Sequence, residues 1–175
     1  MARTLLAALL LLASPARAAV KKSTADDLTV EHKLPTSVAA ADLFRAIGQV
    51  DRWWSSTHSW SGSAANLSLK LEAGGCFCER WPDGSAEHGR VIQVQRDRLV
   101  RLNAALGPLM DLAISGVLTF QLSPASSGKG TDLLVTYRIS GDSTHGLRGL
   151  AGPVDKVIGE AAARLVRFAS TGKPD

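Results

Sequence analysis

The chain has 175 residues, 45% hydrophobic and 21% charged, the ordinary balance of a globular protein and a length that suits one domain. Its formal charge is +4 and its sequence pI about 9.4, but the Lys and Arg residues are scattered rather than striped, so no nucleic-acid face is expected. Beyond the first residues no apolar run is long enough to cross a bilayer.

Arg3 opens the chain, Leu5 to Ala13 is apolar, and Ser14-Pro15-Ala16-Arg17-Ala18 ends on a small-x-small triplet. That is the layout of a secretory signal peptide cleaved after Ala18. The expected localisation is therefore secreted, most simply a bacterial periplasm, with residues 1–18 as leader and 19–175 as the folded domain. Loss of Arg3 and Arg17 leaves a formal charge of +2 out of +4.

Ala19 to Asp27 is polar and reads as a loose leader. Leu28 to Leu34 alternates as a first strand. Thr36 or Ser37 is the expected N-cap of a helix over Val38–Ile47, stopped by Gly48. Val50 to Trp54 suits a second helical turn, and Ser55 to Ala65 a loop. Leu67, Leu69 and Leu71 alternate with polar residues, Gly74-Gly75 turns the chain, and Cys76 to Trp81 is the next strand. Pro82-Asp83-Gly84-Ser85 signals a tight turn into a strand over Ala86–Gln95. Further strands are expected over Leu99–Ala105, Leu112–Leu122 and Leu133–Ser140. Pro153 suits the first position of a final helix. From there Val154, Val157, Ile158, Ala161, Ala162, Leu165 and Phe168 recur at three- and four-residue steps, giving about four turns. Antiparallel strands covered by a terminal helix make an α+β fold.

The hairpin holds the most suggestive chemistry. A four-residue turn pairs Trp81 with Ala86 and Glu79 with His88. Phe77, Glu79, Trp81, His88, Arg90, Ile92 and Val94 then share the inner face. Glu79 beside His88 is a candidate acid–base couple, a polar anchor in an apolar cavity, or a structural ion pair. A bulge at Gly84 or Gly89 would break this register. His58 lies among Trp53, Trp54 and Trp60, in a loop that suits either a lid or a hydrophobic plug. No spacing requires a metal at His58, Glu79 and His88, and no metal is expected. No phosphate loop, nucleophile elbow or cofactor motif is present, so no cofactor is expected. Cys76 and Cys78 sit about 6.5–7 Å apart in a regular strand, so a disulfide between them requires a bulge or kink. Two small strand residues and a weak metal pair are the other readings.

The segments Trp53-Trp54, His58-Ser59-Trp60-Ser61-Gly62, Asn66-Leu67-Ser68-Leu69, Gly74-Gly75-Cys76-Phe77-Cys78-Glu79, His88-Gly89-Arg90-Val91, Leu106-Gly107-Pro108-Leu109 and Val154-Asp155-Lys156-Val157 together resemble the SRPBCC superfamily. These are START-like, Bet v 1-like helix-grip proteins, and the segments look nearest its bacterial branch related to the Hsp90-ATPase-activator domain. The resemblance covers nearly all of 19–175 and implies a curved antiparallel sheet gripping the C-terminal helix. Between them it implies a cavity for lipids, sterols, polyketides or other apolar molecules. A co-chaperone role is not expected, because that partner is cytosolic. The fold hosts many functions, so the site must decide. The first expectation is a binding protein for a small, largely apolar ligand, a monomer or weak homodimer. Trp53, Trp54, Trp60, Phe77, Trp81, Ile92, Leu109, Leu118, Phe120, Ala161 and Ala162 would line the site, with Glu79, His88 and His58 orienting a polar group. The alternatives are an enzyme of cyclase, dehydratase or hydrolase type using Glu79 and His88, and a ligand-free structural or stress-related envelope protein.

Overall fold

Alternation of apolar and polar residues builds most of the strands. In the second strand Leu28, Val30 and His32 are buried and alternate with more exposed Thr29, Glu31 and Lys33. The structure, a computed structural model, describes residues 19–175; the leader expected over 1–18 lies outside the described residues. Its strands are β1 (Ala19–Ser23), β2 (Asp27–Thr36), β3 (Leu67–Leu69), β4 (Cys76–Trp81), β5 (Gly84–Gln95), β6 (Leu99–Asn103), β7 (Ser115–Pro124) and β8 (Thr131–Ser140). They form one antiparallel sheet in the order β1-β2-β8-β7-β6-β5-β4-β3. Helices α1 (Ala40–Gly48) and α2 (Val50–Trp53) follow β2, and α3 (Leu147–Thr171) ends the chain. Leu43, Ile47 and Trp53 meet the buried stripe of α3, Val154, Ile158, Ala161, Ala162, Leu165 and Phe168, in one core with the inward side chains of the sheet. This is the α+β helix-grip arrangement. Among the described residues no helix is long and apolar enough to cross a membrane.

Three expectations about the elements change. Ala19 to Asp27 is not a loose leader: β1 pairs with β2, Val20 opposite Val30. Val20 is itself 42% exposed, so main-chain bonds to an otherwise open sheet edge hold β1 rather than a buried face, and no periodicity announces it. Neither Thr36 nor Ser37 caps α1. Thr36 extends β2 and its Oγ1 accepts from the Val38 N–H at 3.2 Å, while Ala39 occupies the cap without a side-chain bond. The final helix starts six residues before Pro153, at Leu147, after Gly146 at φ +61°. Pro153 lies inside the helix on an exposed position, where its missing N–H costs one hydrogen bond and tertiary packing carries the helix through.

The hairpin register also differs. Its turn is Pro82-Asp83, so Trp81 faces Gly84 and Glu79 faces Ala86, not His88. The pairing has a physical reason: a Cβ at Gly84 would come within 2.6 Å of the Trp81 ring, so the indole lies across the bare glycine. His88 is then an extra residue on β5, between Glu87 facing Cys78 and Gly89 facing Phe77. Ile92 is a second extra residue, between Val91 facing Leu102 and Gln93 facing Arg101. Each bulge exchanges the faces. Arg90 and Ile92 therefore point outward and Val91 inward, against the expected face.

Candidate functional site

A short loop holds the aromatic cluster. Trp53 at the end of α2 donates from Nε1 to the Ala46 carbonyl at 2.8 Å, and Arg164 of α3 donates to the Trp53 carbonyl at 2.8 Å. Trp54 turns the other way and donates to the His58 carbonyl at 2.9 Å, closing the loop on itself. Trp54 packs edge-on against Phe77 with ring centres 5.5 Å apart, and Phe77 against the His88 ring at 5.1 Å.

Glu79 ties this loop to the sheet. It is wholly buried, and its carboxylate accepts from the Trp60 N–H at 3.0 Å, the Ser61 N–H at 2.6 Å and His88 Nε2 at 2.9 Å. Burial is the largest single influence and opposes its charge. The bonds from Ser61, Trp60 and His88 together outweigh that, and its pKa is held below the usual carboxylate value. The bulge at His88 brings the two side chains together diagonally where a facing pair was expected. With both oxygens engaged, Glu79 is a clamp on residues 60–61 rather than a free acid or base.

The space beside this clamp is a half-enclosed, mainly apolar cavity of about 270 Å³. Its walls come from three places. The Trp loop supplies Trp54, Thr57, His58, Ser59 and Trp60. The 3₁₀ turn Gly107–Leu112 and the residue before it supply Leu106, Gly107, Pro108 and Leu109. The first half of α3 supplies Leu150, Pro153, Val154, Val157 and Ile158, with His88 and Tyr137 from the sheet. Tyr137 donates to the Ala104 carbonyl at 2.9 Å and accepts from the Leu106 N–H at 3.1 Å, which fixes the second wall. Trp60 is 50% exposed at the cavity.

Of the residues expected at the site, Trp54, His58, Trp60, His88 and Leu109 border this cavity. Trp53, Phe77, Leu118, Phe120, Ala161 and Ala162 are instead buried in the core and are absent from its wall, and Glu79 stands behind His88. Ala161 and Ala162 permit close packing rather than leaving space, and the cavity lies one to three turns nearer the start of α3. Trp81 is half-buried over Gly84, and Ile92 is 51% exposed, turned out by its bulge. His58 faces Glu160 of α3 at 3.5 Å and does not join Glu79 and His88 in a ligand cluster. Sequence reasoning missed Tyr137 and Leu106, whose meeting depends on strands far apart in the chain. It also missed that Val154, Val157 and Ile158, already legible as an apolar helix face, border the empty space.

Two further groups lie away from the cavity. Cys76 and Cys78 are joined by a disulfide, their Cα atoms 5.3 Å apart. The strand is kinked there relative to regular geometry, at the step where its pairing with β5 shifts. On the other side of the core His32 is 3% exposed and its Nε2 lies 3.0 Å from Asp155 Oδ1, at an angle too oblique for a hydrogen bond.

The fold defines a class, helix-grip α+β proteins, and comparison with solved structures agrees with it. CalU16 from Micromonospora echinospora superposes with a TM-score of 0.62 at 15% identity, over 93% of this chain and 88% of that one. SA2116 from Staphylococcus aureus, a protein of unknown function, gives 0.60 at 12% identity, over 84% of this chain and 96% of that one. EF2215 from Enterococcus faecalis, also of unknown function, gives 0.58 at 10% identity, over 90% and 78%. At such identities the likeness concerns the fold alone. No family model matches the chain, and no curated protein matches it in sequence.

Proposed function

We propose that this protein is an exported binding protein of the SRPBCC superfamily that holds a small, largely apolar ligand between the Trp54–Trp60 loop, the Gly107–Leu112 turn and the first half of α3. The carrying observation is the cavity itself: about 270 Å³, bordered by apolar and aromatic side chains with a few polar groups, the general composition of a small-molecule site. The signal-peptide layout of residues 1–18 supports export, as does a disulfide between Cys76 and Cys78, which persists in an oxidising compartment. Binding is favoured over catalysis by Glu79, whose oxygens are taken by the loop it clamps.

Native mass spectrometry of the protein purified from its own envelope, followed by extraction, is the direct test. A stoichiometric apolar compound, lost in a Val157→Phe variant that fills the cavity, is the expected result. A ligand retained by a folded Val157→Phe protein would place the site elsewhere. A clean mass together with no thermal shift across a panel of apolar compounds would overturn the proposal.

A further inference from the structure

The wall of the cavity contains no Lys, Arg, Asp or Glu. A charged group seated against its inner wall would lose much of its hydration without gaining a full counter-charge, which favours a neutral ligand. The volume of about 270 Å³ falls just under the roughly 300–1,000 Å³ of sites for drug-sized ligands. That is ample for a ligand of on the order of ten non-hydrogen atoms, about the lower end of small-molecule sites. The half-enclosed space thus suits a compound of one or two rings. Trp54, Trp60, Tyr137, Pro108 and Pro153 supply flat faces against which an aromatic ring packs.

The polar atoms of the wall narrow the choice further. The Tyr137 hydroxyl is held between Ala104 and Leu106, Trp54 Nε1 by the His58 carbonyl, and the Ser59 hydroxyl by the Ser56 carbonyl. Thr57 Oγ1 is paired with Ser55 Oγ, His58 Nε2 is turned to Glu160, and the 50%-exposed Trp60 and the 31%-exposed His58 side chain keep their remaining nitrogens at the open rim. His88 is different. It is 5% exposed, and its Nε2 lies 2.9 Å from Glu79 Oε2. An ionised carboxylate only accepts, so Nε2 carries the hydrogen, and in the neutral imidazole Nδ1 is left as an acceptor. Nδ1 has no protein partner among the described residues, yet it is not among the polar atoms sealed from solvent without a partner. The open space that His88 borders is the cavity.

Resting on the binding function proposed above, we infer that the ligand is a small neutral hydroxy compound of one or two rings, a phenol in the simplest case, whose O–H donates to His88 Nδ1. Glu79 thereby acts twice, clamping the loop at Trp60 and Ser61 and setting the tautomer of His88.

Calorimetric titration of the purified protein at pH 8 with 2-naphthol, 2-methoxynaphthalene and 2-naphthoate tests this. The ether keeps the rings and the oxygen but removes the donor. The carboxylate tests charge. The expected result is 2-naphthol binding about tenfold more tightly than its ether, a difference of one well-made hydrogen bond, and no detectable binding of the carboxylate. His88→Phe should bring the alcohol and the ether to within about twofold. Should that variant not fold, the alcohol-to-ether ratio of the unaltered protein decides alone. Equal binding of alcohol and ether, or tighter binding of the ether or the carboxylate, overturns the inference while leaving an apolar site intact. Binding of none of the three, up to their solubility, overturns both this inference and the binding function for ligands of this size.

Discussion

Glu79 has no exposed surface and yet remains a carboxylate, because three donors converge on it. Its pKa is depressed, so the stability it contributes is present above the ordinary carboxylate pKa of about 4.3 and is lost as pH falls through its lower folded value. Glu79→Gln should cost about 1.5–3 kcal/mol at neutral pH. It should also flatten the acid limb of a stability–pH profile measured by urea unfolding. Asp132, similarly depressed by Lys33, stays common to both proteins, so the difference between the two profiles isolates Glu79. Tyr137 gives the opposite sign. Burial pushes its phenol up to about 12. It is the chain's single tyrosine, so absorbance at the phenolate band reports this residue alone. Its contribution is complete below the unfolded value of about 10 and is lost as pH rises toward 12. The phenolate should appear near pH 12, or abruptly with unfolding below it. Ionisation near pH 10 in the folded protein would contradict the burial. His88 and Glu79 were legible in the sequence as neighbours. The bulge that joins them was not, because an extra residue in a strand depends on the partner strand.

At the scale of elements, the close approach of α3 to β2 is set by Gly159. A Cβ there would lie 2.6 Å from Cε1 of the buried His32. Gly159→Ala should therefore destabilise by about 1–3 kcal/mol through overpacking. In a His32→Ala background the same change should become neutral or stabilising by up to about 1 kcal/mol, because alanine favours the helix. A double-mutant cycle by thermal or urea unfolding reads this reversal. Additive effects would mean that the glycine and the imidazole do not meet. The elements with strong local signals, β4, β8 and the amphipathic stripe of α3, follow their expected positions. The elements that depend on neighbours do not. β1 exists through its pairing with β2, and the first turns of α3 carry Gly149, Gly152 and Pro153, whose low helix propensity masks the Leu and Ala residues between them.

At the scale of the molecule, the helix grip leaves a space at one end of its core. A ligand at one hundred times its dissociation constant adds about 2.7 kcal/mol to stability. For a domain of this size that is an increase in Tm of about 5–10 °C. Val157→Phe should raise the Tm of the free protein slightly and abolish the ligand-dependent increase, as differential scanning calorimetry would show. A ligand shift that survives this substitution would separate binding from the cavity.

The order of elements after β1, the α+β class, the face of α3 that is buried and the nearness of Glu79 to His88 were determined by the sequence, because periodicity and turn chemistry act within a few residues. The location of the empty space was decided by tertiary structure. It depends on where Ala161 and Ala162 close against the sheet and on the two bulges of β5 that turn Val91 in and Ile92 out. It depends also on the Tyr137 hydroxyl holding Leu106 from across the sheet. These are packing relations between residues distant in the chain, and no local pattern encodes whether two such surfaces meet or leave a gap.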